Sequence, residues 1–251
     1  MTRTRRLVLD VCLGVALLTA TGCGGGSSGS TSSQTPSTFD FGTNNPTKAT
    51  AFGDSITQGV LELKRRDFRL STSNNYPALL QGKLQSLDPA WRVVNRGVAG
   101  ERTAQGVSRL PSTFVIDQPG FVLILEGTND ASQCQDSNAV ANNLHNMVRT
   151  AKANQSIPII GTIPPSFRND PCADDVINDV NNQIRAFASA ENVVLAEIFN
   201  GMNDRSLFGI ASDRDPLHPN EAGYAVMADI WFQAMLQAIP GGATAALRRR
   251  R

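Results

Sequence analysis

Phe121-Val122-Leu123-Ile124-Leu125 runs without a break into Glu126-Gly127-Thr128-Asn129-Asp130. A strand with one face in water alternates apolar and polar residues, whereas a continuous apolar run of this length is buried on both faces. That points to a parallel sheet covered by helices on either side. Working outward, four more apolar, β-rich runs have the same character: Ala49 to Phe52, Arg92 to Asn95, Pro158 to Ile163 and Val193 to Ile198. The intervals between runs carry helical spacing. Pro77 to Leu87 places Leu79, Leu80, Leu84 and Leu87, and the segment from Ser137 places Val140, Leu144, Met147, Val148 and Ala151. Asp174 to Ala190 and Asn220 to Ala238 read as two further helices. The expectation is one α/β domain whose ligand site lies beyond the carboxyl ends of the strands.

The 251 residues include 41% apolar and 18% charged positions, enough for a sizeable core and too apolar for a disordered chain. Lys and Arg number 23 against 22 Asp and Glu, but basic residues gather at both termini, leaving the body mildly acidic. Binding to a nucleic-acid backbone requires a basic face, so that class is excluded. Residues 1–22 read as an export signal: Arg3, Arg5 and Arg6 precede an apolar stretch from Val11 to Ala20, about half the ~20 residues a membrane span needs. Its end, Ala20-Thr21-Gly22-Cys23, resembles the bacterial lipobox, which implies lipidation of Cys23. Residues 23–47 form a Gly/Ser/Thr-rich tether, 48–240 the folded domain and 241–251 an Arg-ended disordered tail. The chain is therefore expected at the bacterial cell envelope, anchored to membrane through lipid or else secreted.

Chemistry-bearing residues gather where strands end. Gly53-Asp54-Ser55-Ile56-Thr57 follows the first run, and Asn95-Arg96-Gly97-Val98-Ala99-Gly100 closes the second. Glu126 to Asp130 follows the third, and Asp215-Pro216-Leu217-His218-Pro219-Asn220 precedes the last helix. Each has a bland reading as a tight turn or helix cap. Together they supply what a serine nucleophile needs. Of the two histidines, His145 lies within a helix beside Leu144 and reads as a flank residue. His218 is in a loop with Asp215 three residues earlier to orient it, Asp213 being the second candidate. The glycines lack a phosphate-loop or dinucleotide pattern, one loop histidine cannot make a two- or three-histidine site and no Cys-x-x-Cys pair exists, so neither cofactor nor metal is expected.

These four blocks, in this order, resemble the SGNH superfamily of GDSL-type esterases and acylhydrolases, over residues 48 to 238. The resemblance implies a single-domain, three-layer α/β/α fold with a five-stranded parallel sheet of flavodoxin-like kind. It also implies that Ser55 attacks, His218 acts as general base and Asp215 holds the imidazole. The oxyanion would be met by the backbone N–H groups of Ser55 and Gly100 and by the Asn129 amide. The implied activity is hydrolysis of carboxylic esters, with short acyl or O-acetyl groups on carbohydrate or small molecules favoured. A lipase or lysophospholipase role is the first alternative, and a non-catalytic surface module that binds glycan or lipid is the rival class. A monomer is expected. The stretch Val60 to Asn75 is longer than in small relatives. Removal of Cys12 and lipidation of Cys23 would leave Cys134 and Cys172, in loops leaving neighbouring strands, to form a disulfide in an oxidising compartment.

Overall fold

The computed structural model describes residues 39–64, 67–209 and 217–241. The export segment, Cys23, the Arg tail, Asp213 and Asp215 lie outside them. Five strands form a parallel sheet: β1 (Asn45–Gly53), β4 (Arg92–Gly97), β5 (Pro119–Leu125), β6 (Ile157–Gly161) and β7 (Val194–Ala196), in spatial order β4-β1-β5-β6-β7. A separate antiparallel hairpin pairs β2 (Val60–Lys64) with β3 (Asp67–Leu70). The helices are α1 (Ser55–Gln58), α2 (Tyr76–Gln85), α3 (Thr103–Asp117), α4 (Thr128–Ala131), α5 (Ser137–Ala153), α6 (Pro171–Ala190), α7 (Ile198–Gly201) and α8 (Glu221–Ala238).

The period of two along the strands sorts side chains between two cores. Ala49, Ala51, Phe121, Leu123 and Leu125 pack with Leu80, Leu84, Tyr224, Met227 and Trp231 of α2 and α8. Phe52, Val122 and Ile124 pack with Leu110, Phe114, Leu144, Val148, Val180 and Ile184 of α3, α5 and α6. Every residue of β5 is buried, which is why that stretch reads as continuously apolar. The chain leaves β1 toward β4, then crosses back to β5 on the other side of β1. The crevice where the strand order reverses therefore opens above β1, and this is where open α/β sheets bind ligands.

Two departures from the sequence reading have physical causes. The folded body begins before Lys48: β1 starts at Asn45, and Phe39 and Phe41 stack edge to face at 4.8 Å, with Phe41 5.6 Å from Phe121. These apolar rings anchor part of what composition marks as tether. The fifth run is shorter than expected, since β7 stops at Ala196 and Ile198 opens α7.

Cys134 and Cys172 are joined by a disulfide, with Cα atoms 5.7 Å apart and a sequence separation of 38. It ties the segment after α4 to the first turn of α6. Closing a loop of that length restricts the unfolded chain by about 3–4 kcal/mol on the chain-entropy estimate. Cys134→Ala/Cys172→Ala should therefore melt roughly 6–16 °C below the parent in calorimetry. An unchanged melting temperature would remove the disulfide from the stability of this fold.

Candidate active site

Ser55 is the first residue of α1, directly beyond β1. Asp54 caps that short helix, its Oδ1 accepting from the Ile56 N–H at 2.9 Å. The turn is tight at its base. A Cβ on Gly53 would lie 2.1 Å from the Leu125 carbonyl oxygen, and one on Gly97 would lie 2.1 Å from the Gln58 nitrogen. Glycine at both positions lets α1 sit down on the ends of β1 and β4. Gly59, in the left-handed region at φ +99°, ends the helix.

The two blocks most distant in sequence meet here. Ser55 Oγ lies 2.9 Å from His218 Nε2, and both residues are buried except for a 7% exposed remnant. The His218 loop is fixed by backbone bonds: Gly209 N–H donates to His218 O and Asn220 N–H to Leu207 O, both at 2.9 Å. Asn220 then caps α8 by accepting from Gly223 N–H. His218 Nδ1 is buried and has no hydrogen-bond partner among the described residues. Burial, and then the charge of Arg168, push the imidazole pKa down to about 4. This runs opposite to the upward shift that a neighbouring Asp215 carboxylate would give. His145 is held elsewhere: it stacks on Phe187 at 4.7 Å and bonds to Glu191.

The other two strand ends lie beside that of β1, where Gly53 pairs with Gly97 on one side and Leu125 on the other. After β4, the Val98 N–H donates to Gly53 O at 2.9 Å and the Ala99 N–H to Gln58 Oε1 at 3.2 Å. Gly100 follows at φ +79°, and a Cβ there would meet nothing within 4 Å. Its need for glycine is thus one of backbone conformation rather than of crowding. After β5, Gly127 at φ +115° turns the chain into α4, which carries Asn129. The Asn129 Nδ2 donates to the Glu101 carbonyl at 2.8 Å, which leaves its second N–H for another acceptor. Asp130 accepts from both the N–H and the Oγ1 of Thr103, at 2.9 and 2.8 Å, binding the β5 exit to the start of α3.

Sequence reasoning missed the hairpin β2–β3. It stands beside the site, with the Phe68 ring edge-on to the His218 ring at 5.5 Å and 52% exposed, and Leu70 49% exposed. The Tyr224 hydroxyl donates to the Val60 carbonyl at 2.7 Å and holds the hairpin's base. An apolar pair flanking the charged stretch Lys64 to Asp67 was the signal available.

An open α/β sheet with a Ser–His pair at the reversal of its strand order defines a hydrolase-type site. Residues 51–226 match the model of the GDSL-like Lipase/Acylhydrolase family, and the chain belongs to that family. It is 27% identical to the "Thioesterase 1/protease 1/lysophospholipase L1" of Escherichia coli K12 over 185 residues, 74% of this chain and 81% of that one. It is 31% identical to the Pseudomonas aeruginosa "Esterase TesA" over 117 residues, 46% of this chain and about half (54%) of the relative's length. Among solved structures, a carbohydrate acetylesterase from Sinorhizobium meliloti superposes with a TM-score of 0.63 at 15% identity, covering 75% of this chain and 97% of that one. That likeness is one of fold.

Proposed function

We propose that the protein is a serine hydrolase of carboxylic esters that works through an acyl-enzyme. The observation that carries this is the 2.9 Å contact between Ser55 Oγ and His218 Nε2 at the strand-end crevice. A serine hydroxyl is a weak nucleophile unless a base takes its proton. Here the imidazole takes the proton as the oxygen adds to the ester carbonyl, then returns it to the departing alcohol. Water repeats the sequence on the acyl-Ser55 ester. The Ser55 and Gly100 N–H groups and the Asn129 amide are the donors proposed for the oxyanion.

Short acyl or O-acetyl esters of carbohydrate or small molecules are the substrates of choice in this reading. The second reading, an acylhydrolase for longer chains, is favoured by exposed Phe68 and Leu70 beside His218. A nitrophenyl ester series from acetate to decanoate tests both. Turnover abolished by a serine-directed phosphonate is expected, with kcat/KM greatest at acetate. A maximum at eight carbons or more would transfer the assignment to the second reading. No turnover of any ester would favour a binding module instead. We further propose that the enzyme is exported and anchored through Cys23.

The base must be neutral, so the acid limb of kcat/KM reports the protonation of His218 in the free enzyme. Lowered from 6.5 to about 4, the imidazole stays neutral well into acid, and activity should hold from pH 7 to about 5 and fall below that. A limb above pH 6 would show that a carboxylate engages Nδ1, and Asp215→Asn would then move it.

A further inference from the structure

Behind the proposed oxyanion site lies a group of charges that the reaction itself does not use. Asp54, Glu101, Glu126 and Asp130 are each at most 6% exposed, and they come from the ends of β1, β4 and β5. Among the described residues, one cation reaches into this group. Arg109, on α3, donates from Nε to Glu101 Oε1 at 2.7 Å and from Nη2 to Glu101 Oε2, a bidentate clamp. The same Nη2 lies 3.5 Å from the Gly53 carbonyl and 3.9 Å from Glu126 Oε1, and the guanidinium sits 3.9 Å over the Phe52 ring.

Glu126 shows how closely the group is packed. Its side chain is fully buried, and neither carboxyl oxygen has a hydrogen-bond partner among the described residues. A Cβ on Gly106 would come within 2.4 Å of Glu126 Oε2, so α3 approaches β5 only because a glycine stands there. An ionised carboxylate so placed is costly. Burial, then the close approach and the charge of the Glu101 carboxyl, then the charge of Asp54, push the Glu126 carboxyl well above the usual range, against the pull of Arg109.

The consequence reaches the site through the backbone. Glu101 is clamped by its side chain, while its carbonyl accepts the Asn129 amide at 2.8 Å and so sets where the remaining amide hydrogen points. Gly53, whose carbonyl the guanidinium also approaches, stands two residues before Ser55. We propose that Arg109 is a positioning residue of the oxyanion hole, holding the β1, β4 and β5 ends in register through Glu101 and Gly53. The proposal rests on the reading of Asn129 as an oxyanion donor.

The test is a double-mutant cycle on nitrophenyl acetate hydrolysis, with Arg109→Met and Asn129→Ala made singly and together. Arg109→Met should lower kcat roughly 10–100-fold with KM within about threefold, because the interaction it supports is made in the transition state. In the Asn129→Ala background the same substitution should cost several-fold less than it does in the parent, since the donor it positions through Glu101 is gone and only its hold on Gly53 remains. Arg109→Lys keeps the charge without the bidentate fork and should fall between parent and Arg109→Met. If Arg109→Met does not fold, Glu101→Gln, which breaks the clamp from the other side, replaces it in the cycle with the same expectation. Fully additive losses, or a rise in KM with kcat intact, would overturn the proposal. If instead Asn129→Ala alone retained the parent rate, the oxyanion reading beneath it would fail first.

Discussion

Ser55→Ala and His218→Ala should each lower ester hydrolysis by roughly 10⁴–10⁶-fold, and the double variant should be little worse than either. Members of such a pair act as a unit: without the base the hydroxyl is not activated, and without the hydroxyl the base has nothing to activate. The structure makes the substitutions clean. Ser55 contributes one oxygen whose contact is His218, and the α1 turn around it is held by the Asp54 cap and by Gly59, not by the serine side chain. Loss of one hydrogen bond is worth about 1 kcal/mol, so Ser55→Ala should fold and melt within a few degrees of the parent. Purified Ser55→Ala that hydrolysed nitrophenyl acetate at the parent rate would remove Ser55 from the mechanism. Retention of activity by His218→Ala alone would leave Ser55 in place and require a different base.

The parts of the fold that the sequence makes visible are those whose pattern is set by burial on two sides. β5 and β6 are continuous apolar runs because helices cover both faces, and α5 shows its stripe because its outer face is wet. Helix α3 is a counter-example. It carries Val107, Leu110 and Phe114 at helical spacing, yet Gly106 and Pro111 interrupt the signal. Gly106 is there for Glu126, a residue twenty positions later, and no local pattern reveals that. The buried acids behave likewise. Asp54, Glu101, Glu126 and Asp130 look like ordinary turn and cap residues until the sheet order brings three strand ends together. Asp54 is a cap, and it is also a carboxyl whose pKa burial raises to about 7, helped by the charges of Asp130 and Glu101 and opposed by its bonds to Ile56 and Thr128. The hairpin β2–β3 escapes notice for another reason: its ladder is local, and its exposed Phe68 and Leu70 have no partner in the sequence pattern.

Asn129→Ala should lower kcat by roughly 10²–10³-fold while leaving KM nearly unchanged, the loss expected for one oxyanion donor. The negative charge appears on the carbonyl oxygen only as Ser55 attacks, so a donor aimed at that oxygen stabilises the transition state more than the bound ester. Asn129 suits the role because one amide hydrogen is already committed to the Glu101 carbonyl, which fixes the plane of the amide and leaves the other hydrogen aimed by geometry rather than by chance. Truncation to alanine removes the donor and also leaves the Glu101 carbonyl without this partner, so a stability loss of about 1 kcal/mol is expected alongside. Asn129→Asp separates donor from volume. It has the same shape, but its ionised carboxylate presents only acceptors, to the Glu101 carbonyl on one side and to the oxyanion on the other. It should therefore be at least as inactive as Asn129→Ala at pH 7. An Asn129→Asp enzyme as active as the parent at pH 7 would show that the side chain at this position fills space rather than donating to the oxyanion.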